Sequence, residues 1–130
     1  MSLDETNAAR SELLEACGLF LESFVADQYA ARLRSSHPIV KMLARIHVLL
    51  WHKLIEGNSA QMMQMQHALL RHLEMHGINI SLVDDIDQAI VEELIDIVAL
   101  RYRNSARALS AFNMTIAASI STLSNARRAA

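Results

Sequence analysis

Apolar residues recur at helical spacing along nearly the whole chain. From about Asp4 to Arg34, the residues Leu13, Leu14, Cys17, Phe20, Leu21, Phe24 and Val25 return every three or four positions, the period of one helix face. Gly18 weakens that helix locally, and Ser35-Ser36-His37-Pro38 ends it. Proline suits a first helical turn, so a second helix is predicted from about Pro38 to Glu56. Its apolar residues, from Ile39 and Val40 through Leu43, Leu50 and Trp51 to Ile55, wrap most of its circumference, as in a helix buried among neighbours. Gly57-Asn58-Ser59 closes it and caps a third, from about Ser59 to His76, with a stripe at Met62, Met65, Leu69, Leu73 and His76. Gly77 closes the third helix. Residues 78–83 read as a connector, with Ser81, Asp84 or Asp85 capping a fourth helix whose stripe is Val83, Ile86, Ile90, Leu94 and Ile97.

A further stripe at Tyr102, Leu109, Phe112, Ile116, Ile120 and Leu123 follows with no Gly or Pro. It predicts either one very long helix or a soft break near Asn104-Ser105. Ile116, Ile120 and Leu123 extend beyond what a small bundle needs to cover. The expectation is a C-terminal helix that pairs with a second copy, giving a homodimer; the plainer alternative is that it folds back on its own bundle. The fold class is therefore all-α and a single domain over residues 1–130. It is either globin-like or a bundle of about four to six helices with a long C-terminal helix.

Composition narrows the function classes. A hydrophobic content of 52% excludes wholesale disorder. A net charge of −2 gives no broad pull toward nucleic acid or anionic membrane, so neither is an expected partner. One cysteine, Cys17, permits no intrachain disulfide and reads as a small core residue in a reducing, cytoplasmic setting. The N-terminus has no basic-then-apolar leader pattern. No stretch reaches the ~20 apolar residues of a membrane span.

Six histidines are the most unusual polar feature. His72 and His76 lie four apart on one side of the third helix, a spacing that chelates metal when both rings are neutral. A hairpin about Gly57-Asn58 brings His76 close to His37, so His37, His72 and His76 form a candidate metal cluster. The plainer reading is two amphipathic histidines favourable to a helix C-terminus. Met62, Met63, Met65 and Met75 read as core filling or an adaptable pocket. Asp84/Asp85 and Glu92/Glu93 read as a cap and a solvated face, which gives no support to general acid–base catalysis. There is no Gly-rich phosphate loop, no G-x-S-x-G and no CxxC.

The run RIHVLLWHKLIEGNSAQMMQMQHALLRHLEMHGINISLVDDIDQAIVEELIDIV, followed by ALSAFNMTIAAS, resembles the globin-like sensor domains of bacterial signalling proteins over about residues 38–120. The likeness lies in the succession of helix, glycine break, helix, glycine corner and long closing helix. It implies a non-catalytic sensory domain in signal transduction, including chemotaxis, with haem or another small ligand held near His72 and His76 and dimerisation through the closing helix. Leu73 occupies the position four before the corner glycine, so the haem-free branch fits better than an oxygen binder. Arg71-His72-Leu73-Glu74-Met75-His76 resembles the R-x-x-x-x-H motif of HEPN ribonucleases and their toxin–antitoxin relatives. That alternative implies a metal-independent RNase, with Arg71 binding phosphate and His76 acting on the 2′-OH or leaving group. His52-x-x-x-Glu56 with His72-x-x-x-His76 is similar to half of a hemerythrin site, and HKLIEGNS is loosely similar to a phosphotransfer histidine segment.

Overall fold

The computed structural model describes residues 3–34, 38–101, 103–104 and 106–129. Within the helices, the side chains at 3–10, 13, 16, 17, 19, 101, 108, 111, 126, 128 and 129 are outside the description. The expectations placed on Leu13, Cys17, His37 and Tyr102 therefore lie outside the described residues.

Five helices make up the described chain: α1 (Leu3–Leu33), α2 (Pro38–Glu56), α3 (Ser59–Met75), α4 (Ser81–Arg101) and α5 (Ala106–Ala129). The fold is all-α, with no strand among the described residues. α2 packs between α1 and α3, and α5 packs on all four other helices. α4 packs on α1 and α5 and meets α2 through the side chains of His47, Trp51 and Asp87.

The turns explain the boundaries. At the end of α2, the Gly57 N–H bonds to the Leu54 carbonyl at 3.1 Å and the Asn58 N–H to the Lys53 carbonyl at 2.9 Å. α3 ends the same way, with Gly77 N–H to Glu74 at 3.1 Å and Ile78 N–H to Leu73 at 2.9 Å. This paired pattern needs a left-handed residue just past the helix. Gly57 (φ 82°) and Gly77 (φ 65°) supply it. Asn58 Oδ1 then accepts the Gln61 N–H at 3.1 Å and starts α3. At α4 the expected caps Ser81, Asp84 and Asp85 give way to Asn79, whose Oδ1 accepts the Ser81 N–H at 2.9 Å. An asparagine two residues earlier reaches the first free N–H groups and leaves the acids for other work. α4 stops at Arg101 and α5 starts at Ala106, so two helices replace the single very long one.

The core is built from one stripe per helix. Leu21, Val25 and Tyr29 come from α1, and Leu43, Leu50, Trp51 and Ile55 from α2. Met62, Leu69 and Leu73 come from α3, and Val83, Ile86, Ile90 and Leu94 from α4. α5 contributes Phe112, Ile116 and Leu123, with Ile120 packed against the cluster. The supposedly spare stripe Ile116–Leu123 is therefore used by the chain's own core. The expectation of unused apolar surface there is corrected, because α5 folds back into the bundle with its apolar face inward. No helix among the described residues is long and apolar enough to cross a membrane.

Candidate functional site

Polar residues interrupt three of these stripes, and they meet. His47 and Trp51 stand four apart on the inward face of α2. Asp87 falls on the inward face of α4, between Val83 and Ile90. The Trp51 indole N–H donates to Asp87 Oδ1 at 2.7 Å. His47 Nε2–H donates to the same oxygen at 2.6 Å. The Tyr29 hydroxyl, brought in by α1, donates to His47 Nδ1 at 2.6 Å. Its ring also meets the imidazole edge-on, with centroids 5.6 Å apart. From α5, the Arg127 guanidinium forks. One nitrogen pairs with Asp87 Oδ2 and another with Asp84 Oδ1. Asp84 and Asp87, three apart, lie on the same side of α4 and so share one guanidinium.

The result is a continuous chain, Tyr29–His47–Asp87–Arg127, joining α1, α2, α4 and α5, with Trp51 as a second donor to Asp87. Its inner members are sealed: Tyr29 and His47 are 0% exposed and Asp87 is 6% exposed. Arg127 is half-buried and is where the chain meets the surface. It borders a groove of about 1360 Å³ with His67, Arg71, Glu74, Ile80 and Asp84. It also borders a smaller cleft of about 500 Å³ with Trp51, Asp87 and Leu123.

Electrostatics follow from this packing. Burial pushes the Asp87 carboxyl upward. The hydrogen bond from His47, the attraction of Arg127 and the Trp51 N–H outweigh it and hold the carboxyl below the usual aspartate range. Burial pushes the Tyr29 hydroxyl far above the ordinary tyrosine value, and the Asp87 charge adds to this while Arg127 opposes it.

Tyr-His-Asp in sequence of contact has the connectivity of a nucleophile–base–orienter set. Here the terminal hydroxyl is fully enclosed and already hydrogen-bonded to the imidazole. Such a chain positions helices and fixes ring orientation.

The residues singled out from sequence fall elsewhere. His72 is half-buried, with Nδ1 enclosed and without a hydrogen-bond partner. His76 is exposed and forms the C-cap of α3. His37 lies outside the described residues. Among the described residues no group of three or more His, Cys, Asp or Glu side chains could hold a metal ion. An axial haem ligand needs a ring held inside an apolar pocket. An exposed His76 beside a half-buried His72 does not fit that requirement. Glu56, the carboxylate of the hemerythrin-like pattern, is exposed and bridges to Lys53 at 3.3 Å. Arg71 is exposed in the groove beside Arg127. Five residues of helix turn His76 about 140° away from it.

Sequence reasoning missed His47 and Asp87. The signal was a histidine and an aspartate at inward positions of apolar helices, where an uncompensated polar group is costly. Comparison with protein-family models, with curated proteins and with solved structures gave no match.

Proposed function

We propose that this chain is a non-catalytic regulatory domain in which the Tyr29–His47–Asp87–Arg127 chain couples the end of α5 to the core. The observation that carries the reading is the burial gradient along the chain: three sealed members and one, Arg127, at a surface groove. An anionic ligand or partner entering that groove competes with Asp84 and Asp87 for the guanidinium. Losing Arg127 leaves Asp87 a buried charge short of its cation, which is unfavourable. The packing of α5 and the environment of Trp51 then change together. A ligand drives this only by binding the two arrangements unequally.

This agrees with the resemblance to globin-like sensor domains in one respect: the closing helix carries the response. It differs in placing the responsive residues at Arg127 and Asp87, away from His72 and His76. Haem has no role in it.

Trp51 is the only tryptophan and donates to Asp87, so it reports on the site. Titration with inorganic phosphate and with a short dicarboxylate, followed by Trp51 emission, tests the reading. Saturable change in the wild-type chain, lost in Arg127→Gln, is expected. Wild-type emission indifferent to both anions and to Arg127→Gln would refute it.

A further inference from the structure

The surface away from that site carries two complementary stripes, and they point to a head-to-tail contact between copies. On α2, Lys41, Arg45, Leu49 and His52 follow one another down the outward face and, with Glu22 of α1, line a cleft of about 980 Å³. Lys41 and Arg45 have no ion pair or side-chain hydrogen bond among the described residues. His52 Nε2 is enclosed without a hydrogen-bond partner. Leu49 is 41% exposed in the middle of this cationic row.

On α4, Asp85, Glu92 and Asp96 lie along one exposed face, with Ile95 at its border, three residues on from Glu92. Ile95 is 42% exposed. Each stripe is thus an apolar side chain flanked by charges, basic on α2 and acidic on α4. An exposed leucine among unpaired cations and an exposed isoleucine among acids each leave apolar surface in water that mutual docking removes. Opposite charges around both of them set the pairing.

We infer that α2 of one copy docks on α4 of the next. The two helices face each other across the core through His47, Trp51 and Asp87. Their outward stripes therefore point away from each other, and one copy cannot satisfy its own pair. The contact is heterologous, so it propagates into open chains or closes into a ring. It uses neither the α5 stripe, which is buried, nor Arg127.

Two charge-reversed variants test this directly. Lys41→Glu/Arg45→Glu leaves a molecule with two acidic stripes, and Glu92→Lys/Asp96→Lys one with two basic stripes. All four side chains are exposed, so both variants should keep the wild-type circular dichroism and melting curve. Neutral versions with Gln and Asn replace them if either fails to fold. Sedimentation velocity of the wild-type chain should show association that rises with concentration and weakens with salt. Each variant alone should be monomeric, with the association constant reduced by about tenfold or more. Mixed together, the two variants should associate again, since each acidic stripe of one variant meets a basic stripe of the other.

A wild-type chain that stays monomeric up to about 1 mM at low salt overturns the inference. So does association that survives both variants, which would place the contact on another surface, and so do monomeric variants that fail to pair. A monomer that instead captures a synthetic acidic amphipathic helix through Lys41 and Arg45 assigns the basic stripe to a foreign partner and equally overturns self-association.

Discussion

Asp87 accepts from His47 and Trp51 and pairs with Arg127, so its charge is the hub of the polar core. Asp87→Asn keeps the shape and removes the charge, leaving Arg127 and the two donors poorly matched. Chemical denaturation should show a loss of about 3–5 kcal/mol, the usual cost of breaking a buried ion pair. Tyr29→Phe strips one hydroxyl at the far end of the chain and should cost about 1–3 kcal/mol, less than Asp87→Asn. Stability should also depend on pH in two windows. Asp87 is held below its unfolded value, so its contribution is present above the ordinary carboxylate range and is lost as pH falls below it. Tyr29 is raised above its unfolded value of about 10, so stability is present below that pH and falls as pH rises past it. Thermal melts across pH should decline at both ends, and Tyr29→Phe should flatten the alkaline decline alone. At this scale the sequence was least legible. His47 and Asp87 are forty positions apart, and nothing local to either names the other. Periodicity can place each on an inward face but does not say which polar group would meet it. His72 and His76 stand out in the sequence because they are four positions apart on one helix.

Helices and turns were far more legible, because local chemistry decides them. Pro38, Gly57-Asn58 and Gly77 marked boundaries that need only a fixed φ, a left-handed residue or a side-chain cap. The cap of α4 was less so, since Asn79, Ser81, Asp84 and Asp85 all satisfy the local rule and tertiary demand decides. Arg127 takes Asp84, and Asn79 is left to cap. Two glycines give opposite expectations. At Gly77 (φ 65°) an added Cβ meets nothing within 4 Å, so Gly77→Ala should cost only the backbone strain of a left-handed alanine, about 1–2 kcal/mol. Gly18 sits inside α1 with the space around it equally open. Gly18→Ala should stabilise by about 0.5–1 kcal/mol through helix propensity and a less flexible unfolded chain. Equilibrium unfolding of the two variants side by side checks both signs.

For the molecule as a whole, α5 proved the instructive element. From sequence its stripe looked surplus, because stripe length says nothing about how much neighbouring surface is available to cover it. In the fold, Phe112, Ile116 and Leu123 enter the common core, and Arg127 fastens the last turns of the helix to α4. The apolar contacts hold α5 broadly, while the ion pair fixes its end at the edge of a groove. In the function proposed above, that division lets the end of α5 adjust without unfolding the bundle. Hydrogen–deuterium exchange of the wild-type chain against Arg127→Gln tests this coupling most directly. Faster exchange in α5, and at the Asp84–Asp87 turn of α4, with the α2–α3 hairpin unchanged, is the result expected if Arg127 latches α5 to the core. Exchange that is unaltered in α5, or raised uniformly through all five helices, would contradict it.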